Sequence, residues 1–428
     1  MEMDKRIGIG DYVEVILIKK EYKGVFLEAP KNEKGIILLK LTSGYNIGIN
    51  RKDILEIKLL KKSKVNEGEL KLKYDQEKPN IAVIITGGTI ASRYDAKTGA
   101  VKWLTSPREL FKFYPELFEK VNVTKIEVPF MKASEDMDFK DWKKIAKTAV
   151  ELLNNGDIEG IIITHGTDFL HYTSSALSFF LRELNKPVVL TYSQRSIDRA
   201  SSDANLNLRC SALAAISDIA EVMLVGHSSV SDDFCEAMPG AKVRKLHTSK
   251  RDAFKVINDK PIAKISPDFI EILKSHKIRN KNKVRLDSSF EEKIALIKFY
   301  PGQDPIILDY YLKNKYKGII IEASGLGHVA VGNKGKSWIK KLKEVINKGL
   351  VVCITSQTIF GRVDPLVYSN GREILETGVI YLEDMLAETA LVKLGWVLGH
   401  KDWCKNKEII KEKMLENFAG EFNRRLEE

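Results

Sequence analysis

The chain has 428 residues, 44% of them hydrophobic and 30% charged, with a formal net charge of +11. That length exceeds what one hydrophobic core usually serves, so two or three domains are expected. No apolar run approaches the roughly 18 residues that cross a bilayer, and the opening MEMDKRIGIGDYVEV lacks the apolar block of a signal peptide, so no membrane role and a cytoplasmic location are expected. The positive balance fits a protein working beside a polyanion, and equally a Lys-rich composition without one. Cys210, Cys235, Cys353 and Cys404 are far apart with no C-x-x-C spacing, and the seven histidines form no H-E-x-x-H pattern. Free thiols are expected, with no disulfide framework and no metal.

In chain order, residues 1–75 hold short alternating apolar segments (DYVEVILI, YKGVFLEA, GIILLKL, YNIGI, ILEIKLL) between Gly, Asn and Lys. Five such strands predict a small SH3-like or Sm-like β-barrel. The polar stretch from Lys61 to Asn80 reads as a linker. Then the period changes. Apolar runs IAVIIT, KIEVPF, GIIITHG, PVVLTYS and EVMLVG alternate with helical stretches such as DFKDWKKIAKTAVELLNN, which predicts an α/β lobe over 76–273 with a parallel sheet covered on both faces. Residues 274–292 break the pattern and read as a solvated, basic connection. A second α/β lobe is expected over 293–428, from KIALIKFYP, GIIIEASG, VVCITSQ and a final helix near EDMLAETALVKLGWVL.

The candidate site begins where Ile81–Ile85 runs into Thr86-Gly87-Gly88-Thr89. Ligands of open α/β sheets bind beyond the carboxyl ends of strands. Glycine there lets a ligand approach the backbone, whose amides can face an oxyanion. TGGTIAS is neither G-x-G-x-x-G nor a P-loop, so a nucleotide cradle is not the favoured reading. A second strand, GIIITHG, also ends on a hydroxyl, Thr167, followed by Asp168. A threonine hydroxyl needs a base to become a nucleophile. Taken singly, Thr89 or Thr167 would be a turn or N-cap residue, Asp168 a helix-start carboxylate and Lys245 a surface lysine.

Together, TGGTIAS, HGTD, ASEDMD and VRKLHTSKRDAF, in that order, resemble the bacterial-type asparaginase/glutaminase family over about residues 80–400. The resemblance implies an N-terminal α/β lobe with the catalytic residues and a smaller C-terminal one. By motif, Thr89 matches the family's primary nucleophile. Thr167, Asp168 and Lys245 match its second catalytic cluster, with the lysine acting as base through the threonine. Asp168 also matches the residue holding the substrate's α-amino group, and Ser134 and Glu135 match those binding its α-carboxylate and amine. The family's loop tyrosine has no counterpart in SRYDAKTGAVKW: Ala96 occupies its position, with Tyr94 two residues earlier as a substitute.

The residues ahead of TGGT, together with HTSKRDAF, SGLGHVAVG and SQTIFGRV, further resemble the asparaginase-like subunit of archaeal tRNA-dependent amidotransferases. His328 in SGLGHVAVG is a candidate crevice residue. This likeness implies that the chain hydrolyses the side-chain amide of glutamine or asparagine. The ammonia passes to a partner, the E-type amidotransferase subunit, which uses ATP and Mg to convert Glu-tRNA(Gln) to Gln-tRNA(Gln). No cofactor is implied for the amide-hydrolysing chain itself, which forms a homodimer within an α2β2 assembly. A free cytosolic L-asparaginase is the alternative enzyme, and a non-catalytic RNA-binding scaffold built on the barrel is the alternative of another class.

Overall fold

The computed structural model of the protein describes residues 7–8, 10–27, 35–41, 46–62, 74–94, 101–103, 117, 119–197, 202–332 and 336–425. Strands Tyr12–Leu17, Glu21–Leu27, Ile36–Leu41 and Asn46–Asn50 form an antiparallel meander, and Ile54–Lys61 returns to pair with the first. Their alternation has a consequence in packing. Val13, Val15, Phe26, Ile37, Leu39, Ile49, Ile54 and Ile57, drawn from all five strands, meet in one apolar cluster, so the sheet curls around its own core, as an SH3-like barrel must.

From Asn80 the chain builds an eight-stranded sheet in the order Ile270–Ile272, Ala263–Ile265, Cys235–Pro239, Val222–His227, Val188–Thr191, Gly160–Thr164, Asn80–Ile85, Asn122–Glu127. The near-continuous apolar runs are explained by burial on two faces. Ile161 and Ile163 enter one core cluster while Ile162 enters another, and Ala82 and Ile84 divide from Ile81, Val83 and Ile85 in the same way. At about 1.5–3 kcal/mol for each fully buried large aliphatic side chain, these strands anchor the molecule. The expected parallel sheet is in fact mixed. The five strands from Val222–His227 to Asn122–Glu127 are parallel, but Cys235–Pro239, Ala263–Ile265 and Ile270–Ile272 add antiparallel. The connection from His227 to Cys235 is too short to carry a crossover helix.

A four-stranded parallel sheet follows, Ile294–Lys298, Gly318–Ala323, Val351–Ser356 and Ile380–Tyr381. Helix Ala387–Gly399 joins the lobes: Trp396 stacks on Phe179 of helix Leu170–Phe180 with centroids 5.5 Å apart. Ile320, Cys353 and Ile380 of the second sheet share an apolar cluster with Ile161 and Leu190 of the first. The 274–292 stretch is also less solvated than its charge suggests. Arg279 donates to Glu159 Oε2 at 2.7 Å and to the Ser217 and Ala215 carbonyls, Lys274 pairs with Asp259 at 2.5 Å, and Arg285–Leu286 pairs with Leu181–Arg182. Basic residues packed against carbonyls at the C-terminal end of a helix, here Ala204–Ala215, read, in sequence, like basic residues in water. The cysteines are free thiols, three buried and Cys404 half-buried. Among the described residues no helix is long and apolar enough to cross a membrane, and no group of three His, Cys, Asp or Glu could hold a metal ion.

Candidate active site

Strands Asn80–Ile85 and Gly160–Thr164 are parallel neighbours in register, Ile85 opposite Thr164. Their carboxyl ends, the TGGT and HGTD turns, therefore emerge side by side. The Thr86 amide and hydroxyl both donate to the Thr164 carbonyl, at 3.2 and 2.8 Å. Gly88 has φ 81° and ψ 177°, a conformation that a side chain effectively forbids. A Cβ there would lie 2.4 Å from the Cα and N of Gly166, and one on Gly87 would lie 2.3 Å from the Lys132 carbonyl oxygen. The glycines thus let three turns close on one another: TGGT, HGTD and the KASED stretch that carries Ser134 and Glu135.

Thr167, Asp168 and Lys245 converge. Lys245 Nζ lies 2.8 Å from Thr167 Oγ1 and 2.7 Å from Asp168 Oδ1. The lysine side chain is only 8% exposed whereas the Asp168 side chain is 61% exposed. The pair therefore has a dry side for proton movement and a wet side open to a ligand. Lys245 is no surface lysine. It ends the short strand Val243–Lys245, which pairs with Phe254–Val256. Neither threonine is an N-cap: helix Leu170–Phe180 starts from Phe169 without a side-chain cap, and Gly88 precedes the short turn Thr89–Ala91.

Ser134 is buried, and its hydroxyl accepts from the Phe169 amide at 3.3 Å while facing Glu135 Oε2 at 3.3 Å. Glu135 is exposed and Thr89 half-buried at the rim. Among the described residues the Thr89 hydroxyl has no hydrogen-bond partner, so the structure joins its turn, rather than its hydroxyl, to the cluster. His328 lies in the second lobe, its ring edge-on to Tyr368 with centroids 5.6 Å away. Strand Ser92–Tyr94 pairs with Val101–Trp103, and Ala96 lies outside the described residues.

Two histidines behind the site escaped the sequence reading. His165 Nδ1 is 2.7 Å from the Gly166 carbonyl and Nε2 is 2.9 Å from Thr173 Oγ1. A carbonyl only accepts, so Nδ1 carries the proton and Nε2 accepts from the threonine; burial lowers its pKa to about 4. His171 is pushed down to about 3, by burial first and then by Arg244 and Lys245. Both rings are neutral at neutral pH, so neither sets a further positive charge beside Lys245. An open cleft of about 290 Å³, lined by Arg182, Glu221, Lys277 and Phe418 among others, lies at the amino ends of the strands and shares no residue with this cluster.

A glycine turn, two threonines at adjacent strand ends and a lysine–aspartate pair define an asparaginase-type α/β protein. Residues 80–277 match the family model "Asparaginase, N-terminal", 293–413 match "Glutaminase/Asparaginase C-terminal domain", and 7–60 match "GatD N-terminal domain". The thermostable L-asparaginase from Thermococcus kodakarensis shares the fold with TM-score 0.71 and 31% identity, over 81% of this chain and 100% of that one. L-asparaginase I from Vibrio cholerae gives 0.69 and 28%, over 81% and 99%. Similarity in sequence is greater to a second group. The chain is 46% identical to the D-type subunit of glutamyl-tRNA(Gln) amidotransferase from Pyrococcus furiosus, over 97% of this chain and 95% of that one. It is 42% identical to the protein of the same name from Methanococcus maripaludis, over 97% and 98%. The chain belongs to the family of D-type subunits of glutamyl-tRNA(Gln) amidotransferases.

Proposed function

We propose that this chain is the amide-hydrolysing component of a tRNA-dependent amidotransferase, releasing ammonia from glutamine or asparagine. The observation that carries this reading is the Lys245 amine within hydrogen-bond reach of both Thr167 and Asp168 at the carboxyl edge of a sheet whose neighbouring turn offers Thr89. In the reaction, a threonine oxygen bonds to the side-chain amide carbon. The nitrogen leaves as ammonia after taking a proton, and water then cleaves the acyl ester to give glutamate or aspartate. Thr89 is the primary nucleophile. As Thr89 attacks, its hydroxyl proton passes to Thr167, whose own proton passes to neutral Lys245 and from there to the leaving nitrogen, a relay that requires separations of the kind seen between Lys245 and Thr167. The exposed carboxylate of Asp168 binds the substrate's α-amino group, helped by Glu135, while Ser134 binds the α-carboxylate. Amides of the TGGT and HGTD turns face the tetrahedral oxyanion, at roughly 3 kcal/mol per donor.

The ammonia passes to the E-type amidotransferase subunit, which holds Glu-tRNA(Gln) and uses ATP and Mg to form Gln-tRNA(Gln); this chain needs no cofactor. It works in the cytoplasm as a homodimer within an α2β2 assembly. The likeness over nearly the full length, together with the match of residues 7–60 to the GatD N-terminal domain, favours this reading over a free L-asparaginase, since the L-asparaginases from Thermococcus kodakarensis and Vibrio cholerae cover 81% of the chain against 97% for the D-type subunit from Pyrococcus furiosus. The test is ammonia release by the purified chain, alone and with the E-type partner, ATP and Glu-tRNA(Gln). Release that rises strongly on assembly is expected; full release by the isolated chain, indifferent to the partner, would favour the free asparaginase.

A further inference from the structure

We propose that the segment Asp384–Thr389 of the second lobe is the positioning device for Lys245, an inference that rests on reading that lysine as the proton carrier. Strand Val243–Lys245 belongs to a two-stranded sheet only, and an isolated hairpin of that size holds itself poorly. Its conformation is set from across the lobe boundary. Thr389 Oγ1 donates to the Ala241 carbonyl at 3.0 Å. Lys242 Nζ donates to Asp384 Oδ2 at 2.5 Å, with both side chains fully buried. Arg244 Nη2 meets Glu388 Oε1 at 3.0 Å, the glutamate side chain being 8% exposed. Three of the four residues before Lys245 are thus gripped by six consecutive residues of the other lobe.

The grip is itself braced. Asp384 Oδ1 accepts from the Asn423 amide at 2.7 Å. The Ser175 hydroxyl lies 2.9 Å from Thr389 Oγ1, and Ser174 Oγ donates to the Gly240 carbonyl at 2.7 Å. Because the Thr389 proton goes to Ala241, its oxygen accepts from Ser175, which ties helix Leu170–Phe180 into the same network. That helix follows directly from the HGTD turn. One set of polar contacts therefore fixes both halves of the Lys245–Thr167 pair. None of the gripping residues touches the reacting atoms; their effect runs through the lysine's placement.

The test uses the full chain with its amidotransferase partner and measures ammonia release from glutamine for Glu388→Gln, Thr389→Val, Thr389→Ser and Lys245→Met, with melting curves as fold controls. Displacing a catalytic group by about 1 Å can cost up to 10²-fold in rate. Glu388→Gln and Thr389→Val are expected to lose about tenfold or more in kcat with KM within about twofold, and Thr389→Ser, which keeps the donor to Ala241, to recover most of it. Folded Glu388→Gln and Thr389→Val chains with wild-type kcat would overturn the proposal, as would a Thr389→Ser chain no better than Thr389→Val. Activity retained by Lys245→Met instead counts against the reading of the site itself, so the two failures are distinguishable.

Discussion

Replacing Gly88 by alanine tests how the TGGT and HGTD turns are held together. The new Cβ would sit 2.4 Å from the Cα and N of Gly166 and 2.7 Å from the carbonyl carbon of His165. Backbone on that side must retreat by about 1 Å to reach ordinary contact. The residue would also be held at φ 81°, ψ 177°, which costs a non-glycine residue about 1–3 kcal/mol, and overpacking adds about 1–3 kcal/mol. Against the 5–15 kcal/mol typical of a domain, the variant folds with reduced stability. Its rate suffers more, because the turns of Thr89 and Thr167 are pushed apart, and a shift of this size can cost about 10²-fold. Ammonia release in the assembled system is the assay. Gly302→Ala is the control: it has φ 82° but only Lys336 Nζ at 4.0 Å in its way, so it should lose stability and keep its rate. A Gly88→Ala chain that melts and turns over like wild type would refute this account of the packed turns.

Acid should destabilise the protein through its buried histidines. The folded pKa of His171 is about 3 and that of His165 about 4, both depressed by burial. An unfolded histidine titrates near 6.5, so their stabilisation is full above that pH and drains away as pH falls toward 4 and then 3. Each is worth a few kcal/mol at most, at about 1.4 kcal/mol per pH unit. His171→Phe should flatten the melting-temperature profile between pH 6.5 and about 4; an unchanged slope would contradict this. Lys242→Met leaves Asp384 buried and without its cation, and a lost partner of this kind costs about 3–5 kcal/mol, which a denaturant midpoint would register. Adding Asp384→Leu should recover part of that loss. Removing residues 1–75 should leave the later lobes folded, since the first sheet has its own apolar cluster; circular dichroism melting of the truncated chain checks it.

The placement of the candidate turns was legible where it depends on local pattern. Ile81–Ile85 and Gly160–Thr164 read as buried strands because nearly every side chain is apolar, and each runs on to glycine and threonine; a parallel sheet puts both ends on one edge, and the structure makes the two strands neighbours. Lys245 was legible only through resemblance: nothing in VRKLHTSKRDAF says that its amine reaches Thr167, 78 positions away. The charges behind it were hidden for the same reason. Lys242, Arg244, Asp384 and Glu388 look like solvated residues in sequence, yet they pair across the lobe boundary and two of them are fully buried. The antiparallel edge of the large sheet was missed because alternation is weak in strands of three to five residues such as Ala263–Ile265 and Cys235–Pro239.

The most direct test of the central claim compares Thr167→Val with Thr167→Ser in ammonia release by the assembled amidotransferase. Valine keeps the shape and removes the oxygen that lies 2.8 Å from Lys245 Nζ, and loss of a proton-transfer group typically costs about 10²-fold or more. Serine, which retains the hydroxyl, should stay within about tenfold of wild type. A folded Thr167→Val chain releasing ammonia at the wild-type rate would contradict the account.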